Sequence, residues 1–123
     1  MADLTPYIAL YDDVVVHRDV MIPMRDGVRL ATDIYRPARD GVPVDEPLPV
    51  VFERTPYDKC GTPRTELTLN NPEPATRPEL AVRLVREGYI VIWQDCRGRY
   101  GSEGTFTKYL NEGEDGFDSM VWI

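Results

Sequence analysis

A glycine-flanked serine, a histidine and a tyrosine behind a proline are the side chains whose types and spacing could do chemistry here. Ser102 lies in Tyr100-Gly101-Ser102-Glu103-Gly104, close to the nucleophile elbow G-x-S-x-G. The match fails at its first position, where Tyr100 replaces the small residue that a tight strand-to-helix turn needs. It also fails on context, since the seven residues 95–101 separate Ser102 from the preceding apolar run and no helix follows at once. His17 is the chain's one histidine and sits inside a strand-like segment, so Ser102 lacks a base. A turn serine and a strand histidine are the expected readings. Tyr57 differs. It follows Arg54-Thr55-Pro56 at the end of an apolar run, and Pro56 restricts the backbone before it. A phenol at such an edge either donates a hydrogen bond into a site or packs its ring against the loop.

The remaining chemistry-bearing groups have structural readings. Cys60 and Cys96 fall in loops after different strands, and their spacing demands neither a disulfide nor a reactive thiol. The acidic residues between 112 and 118 suit the positive end of a helix dipole better than a cation site. Arg97 and Arg99, beside Asp95 and Glu103, are expected to form ion pairs that order a glycine-rich loop.

Composition bounds the function. With 123 residues the chain is at most one domain. Its 14 basic and 21 acidic residues give a net charge of −7, which disfavours binding to a phosphate backbone. Apolar residues make up 42%, so the chain should fold. Two cysteines and one histidine do not suffice for a disulfide scaffold or an all-cysteine zinc site, and no metal or cofactor is expected. Neither a signal peptide nor a run of about 20 apolar residues is present, so a cytoplasmic protein with no membrane partner is expected.

The elements that must position these groups read as α/β. Residues 14–24 are rich in β-branched and apolar types, and Asp26-Gly27 marks a hairpin. Residues 28–35 alternate, with Val28, Leu30, Thr32 and Ile34 on one face, as in a half-buried antiparallel strand. A proline-rich loop follows, then a short strand over 49–53 and a long aperiodic stretch over 54–77. Thr76 and Glu79 form a capping box for a helix whose apolar stripe is Leu80, Ala81, Leu84 and Val85, with Gly88 as its left-handed cap. Residues 89–93, Tyr-Ile-Val-Ile-Trp, read as a strand buried on both faces. Strand, helix and strand make a parallel βαβ unit, and ligands of such sheets bind beyond the carboxyl ends of the strands. The loops leaving those ends are Arg54 onward and 95–104. A last helix begins with Asn111 as its cap and Phe117, Met120 and Val121 as the start of an apolar face. It stops at Trp122-Ile123 without Gly, a basic last turn or a polar tail, so the chain is expected to be the front part of a longer protein.

Three segments carry a resemblance. The run from Met21 to Pro37, MIPMRDGVRLATDIYRP, resembles the opening hairpin of the cocaine esterase and X-Pro dipeptidyl-peptidase-like family. That family also holds α-amino-acid ester hydrolases and glutaryl-cephalosporin acylases. Arg54-Thr55-Pro56-Tyr57-Asp58-Lys59 is similar to its next signature. The run from Glu87 to Gly104 is similar to its D-x-R-G-x-x-x-S-x-G segment. The likeness runs from about residue 14 to the end. It implies an α/β-hydrolase fold, here an antiparallel hairpin leading into a mostly parallel sheet, and a Ser-Asp-His triad in that chain order. It also implies that Tyr57 is the side-chain donor of the oxyanion hole, with Asp95, Arg97 and Gly98 in a structured loop beside the site. Ser102 matches a turn serine of that loop.

Residues 1–123 would then be the N-terminal portion of one α/β-hydrolase domain, ending before the nucleophile elbow, with nucleophile, acid and base all outside the chain. The implied function is ester or amide hydrolysis through an acyl-enzyme, acting on small esters, amides or short peptides. One rival is a non-catalytic short product that works through a homo-oligomer or a partner on its exposed sheet edge and last helix. Another, a small-molecule binding module, lacks a phosphate-cradling loop, since Gly98, Gly101 and Gly104 do not fit G-x-G-x-x-G.

Overall fold

A computed structural model of the chain describes residues 10–63, 74–108 and 110–123. Two long strands, β1 (Asp13–Pro23) and β2 (Arg29–Arg39), form the expected hairpin. Gly27 turns it at φ +85°, and Asp26 accepts the Val28 N–H at 3.1 Å. A short β3 (Val42–Pro43), β4 (Val50–Thr55), helix α1 (Arg77–Arg86), β5 (Ile90–Asp95) and helix α2 (Glu112–Trp122) follow. The sheet order is β1-β2-β5-β4, with β3 against β2. β4 and β5 run parallel, in register from Val50 opposite Ile90 to Thr55 opposite Asp95. The other pairings of the described residues are antiparallel, so the hairpin feeds a mixed sheet whose parallel part is the β4–β5 pair.

Two sequence expectations fail in β2. The strand does not end at Tyr35 in a proline-rich loop. It runs on through Pro37 to a second Asp-Gly turn, Asp40-Gly41, and pairs with β3. Nor is it half-buried. Leu30 and Thr32 on one face and Ala31, Asp33 and Tyr35 on the other are all buried. β2 lies between β1 and β5, and both of its faces are covered. On one, Tyr35, Val91 and Trp93 pack with Ala81 and Val85 of α1, joined at the margin by Leu80, Leu84, Val14, Val16 and Val51. On the other, Thr32 and Gln94 meet Ser119 of α2. A smaller cluster of Ile22, Met24 and Leu30 fills the hairpin end.

The helix termini divide. Thr76 caps α1 as the box predicts, its side chain accepting the Glu79 N–H at 3.4 Å, and Gly88 follows at φ +98°. Asn111 stands at the N-cap of α2, as expected, but its side chain makes no capping bond. Its amide donates instead to Thr107 Oγ1 at 3.0 Å. Helix α2 carries the expected apolar residues on its outer side. Asp115 and Ser119 point inward, while Phe117, Met120, Val121 and Trp122 are exposed. Its other side meets three arginines, Arg54 pairing with Glu112, Arg97 with Asp115 and Arg25 with Asp118. Part of the predicted long loop, 64–73, lies outside the described residues.

Candidate active site

The loops leaving the parallel pair meet over its carboxyl ends. Between them lies a cleft of about 240 Å³ lined by Pro56 and Tyr57 after β4, by Cys96, Arg99, Phe106 and Lys108 after β5, and by Glu112 of α2. This is where the βαβ reading places a ligand.

Tyr57 stands on the rim, half exposed. Its N–H donates to Thr55 Oγ1 at 3.0 Å. The residues after it are fastened from other elements. Arg77 at the start of α1 donates to the Asp58 carbonyl at 3.2 Å, and the Lys59 N–H donates to Asp95 Oδ1 at 2.8 Å. The Lys59 side chain dives under the loop to Asp19 at 2.9 Å and to the fully buried Asp33 at 3.1 Å. Burial by itself would lower the Lys59 pKa, but the hydrogen bonds its ammonium donates to the two carboxylates reverse this and hold it above its ordinary value. The Tyr57 loop therefore rests on a charged post sunk into the hairpin.

The 95–104 loop is ordered, though not by the expected pairs. Asp95 binds backbone rather than arginine, accepting from Lys59 N and, at 3.2 Å, from Gly101 N. Burial pushes its carboxyl above the usual range, partly offset by those two N–H donors. Arg97 turns away from Asp95 to grip Asp26 of the hairpin at 2.7 Å and Asp115 of α2 at 2.8 Å. These carboxylates hold its pKa well above the ordinary guanidinium value. Arg99 donates to the Pro56 carbonyl, and Glu103 pairs with Arg29 at 2.8 Å. Neighbours in sequence point apart in an irregular loop, so pairing by proximity along the chain misleads. Gly98 has φ +72°, and a Cβ there would overlap the backbone of Thr105 and Phe106.

Ser102 is committed to structure. Its hydroxyl donates to the Asp95 carbonyl at 2.6 Å and accepts the Ala31 N–H at 2.9 Å, tying the loop to β2. His17 is exposed in β1 opposite Ile34, and no bond joins it to Ser102. Both cysteines are free thiols. Burial drives Cys96 up to about 12, and burial also raises exposed-edge Cys60, which touches Asp33 at 3.6 Å. The acidic residues of α2 face arginines rather than only the helix dipole. Arg54 binds Glu112 at 2.7 Å, and Arg25 binds Asp118 at 2.9 Å. The role of Arg54 beneath the cleft had no strong signal in sequence, where it reads as a loop residue. Among the described residues no group of acidic, histidine or cysteine side chains is placed to hold a metal, and no helix is long and apolar enough to cross a membrane.

A mixed sheet with a cleft over the ends of its parallel pair defines the N-terminal part of a hydrolase-type α/β domain. The chain belongs to the X-Pro dipeptidyl-peptidase (S15) family, whose model matches residues 26–123. It is 41% identical over 108 residues to a cocaine esterase of Rhodococcus sp. (strain MB1 Bresler), a match that spans 88% of this chain and 16% of that protein. Among solved structures it is similar to an α-amino acid ester hydrolase, with a TM-score of 0.62 and 32% identity over 98% of this chain and 21% of that one. A CocE/NonD family hydrolase from Staphylococcus aureus superposes with a TM-score of 0.68 at 25% identity, covering 90% of this chain and 20% of that one. The family is one of ester and peptide hydrolases. The chain thus spans about a fifth or less of the relatives it matches.

Proposed function

We propose that residues 1–123 are the N-terminal portion of one α/β-hydrolase domain, lying before the nucleophile elbow, in a serine hydrolase that cleaves esters or amides. The observation that carries this reading is Tyr57, presented by the end of β4 on the rim of the cleft. In the reaction a serine Oγ, supplied by chain beyond these residues, attacks the substrate carbonyl carbon. A histidine takes the serine proton and an aspartate orients that histidine. The carbonyl oxygen becomes an oxyanion, to which the Tyr57 hydroxyl donates. Collapse expels the alcohol or amine, and water then releases the acid from the acyl-enzyme. The names of the relatives, an esterase and an α-amino acid ester hydrolase, support an ester as substrate, and the name of the family, a dipeptidyl-peptidase, supports an amide.

The coding sequence beyond Ile123 is expected to continue through a strand into G-x-S-x-G within about 25 residues. In the protein expressed from that complete frame, Tyr57→Phe should lower kcat for a nitrophenyl ester about 100-fold, or ~3 kcal/mol, with KM little changed. A fluorophosphonate probe should label a serine outside residues 1–123. Labelling of Ser102, or an unchanged kcat in Tyr57→Phe, overturns the reading. The exposed apolar face of α2 favours a second one, a non-catalytic product acting through association. A stop codon directly after Ile123 would select it.

A further inference from the structure

One cation in the cleft has no acid to answer it. The arginines around it are paired: Arg54 with Glu112 at 2.7 Å, Arg77 with Glu53 at 2.9 Å and Arg97 with Asp115 at 2.8 Å. Arg99 lines the cleft and is not paired. Among the described residues it meets no carboxylate, and its hydrogen bond runs from Nε to the Pro56 carbonyl at 2.9 Å. A guanidinium carries five N–H donors in one plane, so the donors on both Nη atoms are left over. Glu112, the acidic residue of the lining, is already taken. Its Oε2 accepts from Arg54 Nη1 at 2.7 Å, and the Cys96 thiol lies 3.6 Å from the same oxygen.

Arg99 is held in place without an acid. Its guanidinium lies 5.0 Å from the centre of the Phe106 ring and 5.5 Å from that of Tyr100. Aromatic faces attract a cation but do not neutralise it. They cover the flat of the guanidinium, whereas its donors point outward in the plane, so the stack leaves the Nη edge open. A planar fork of donors, partly withdrawn from water, matches the two oxygens of a carboxylate. In a chain of net charge −7, this unanswered cation in a cleft is a local exception.

We infer that the cleft takes substrates carrying a carboxylate, and that Arg99 selects them through its Nη donors. The inference rests on the ester or amide hydrolysis proposed above and names the substrate class of that site. The carboxylate belongs either to the acyl part or to the leaving group, and the test separates the two.

The test compares matched esters on the protein expressed from its complete reading frame. On the acyl side they are mono-para-nitrophenyl adipate and its uncharged counterpart, para-nitrophenyl adipamate. On the leaving-group side they are para-acetoxybenzoate and para-acetoxybenzamide. Each kcat/KM is divided by the rate of that ester in buffer alone. On one side, the anion should then exceed its neutral match at least about tenfold, as a charge-assisted fork of hydrogen bonds allows. The side that shows the preference is the side that meets Arg99. Arg99→Leu should bring that ratio to within about twofold of one, because the Coulomb attraction is gone. Arg99→Gln, which still has a donor for the Pro56 carbonyl, should do the same and serves if Arg99→Leu does not fold. Arg99→Lys, which keeps the charge and loses the fork, should fall between. The ratio is the readout because a merely structural loss lowers both matched esters together. A ratio near one on both sides, or a preference that survives in Arg99→Leu and Arg99→Gln, overturns the inference. If the neutral esters are hydrolysed and Tyr57→Phe slows them while the ratio is one, only the carboxylate site fails. If no ester is hydrolysed, the hydrolase reading fails and takes this inference with it.

Discussion

Gly98 bears most directly on the loop that faces Tyr57. Its φ of +72° suits glycine, and the space a methyl group would need is filled by the chain at Thr105 and Phe106. The loop thus crosses itself at Gly98, and this crossing places Phe106 under Arg99. Gly98→Ala combines left-handed strain with a backbone collision, which together should cost about 3 kcal/mol or more. Urea unfolding of the complete protein would show it, and a change under 1 kcal/mol would mean the crossing is loose. Tyr57 and Ser102 make a related contrast. Both lie in loops beside glycine or proline, yet the serine spends its proton and a lone pair on the fold while the tyrosine reaches the cleft.

Helix α2 is fastened to the strands and the 95–104 loop by ion pairs. Asp115 faces Arg97 at 2.8 Å and Arg54 Nη2 at 3.9 Å, and that Nη2 has no hydrogen-bond partner. Ser119 sits a turn further on, donating to the Asp115 carbonyl at 2.8 Å and lying 3.2 Å from Gln94 Oε1. Removing the Asp115 carboxylate strands two nearly buried guanidinium groups. Asp115→Ala should therefore cost about 3 kcal/mol, more than a surface pair would. Chemical denaturation would measure the loss. A cost within experimental error would show that Glu112 and Asp26 suffice for the two arginines.

Across the molecule, arginine–carboxylate clamps join segments far apart in sequence: Arg97 to Asp26, Arg29 to Glu103 and Arg25 to Asp118. In each, the hydrogen bonds from arginine hold the carboxyl below its ordinary pKa. A depressed folded pKa means that the stabilisation is complete above the unfolded value, near 4, and is lost as pH falls through the folded value. Asp95, raised by burial, works with the opposite sign and offsets part of this. The melting temperature should thus fall on acidification below about pH 4, and the gap between the parent and Asp118→Asn should close there. Because Arg25 is half exposed, 1 M salt should narrow the same gap at neutral pH. A gap independent of pH would assign the Asp118 effect to packing.

What the sequence determined is what local physics writes along the chain. Asp26-Gly27 sets the hairpin, Thr76 and Glu79 begin α1, Gly88 ends it, and the apolar run before Asp95 makes a strand covered on both faces. The place of Tyr57 after a strand and a proline is local too, but position alone leaves its phenol free either to donate into a site or to pack its ring. Only the tertiary structure decided which charges meet. Asp33 is a charged residue of an alternating strand, yet it is fully buried, because Lys59 and Arg18 close over it. Arg97 and Arg99 had acidic neighbours in sequence, but found their partners on the hairpin, α2 and the Tyr57 loop. Hydrophobic periodicity and turn chemistry act over a few residues and leave a signature there. Ion pairs form between whichever groups the packed elements bring within about 4 Å, a distance that spacing along the chain does not record.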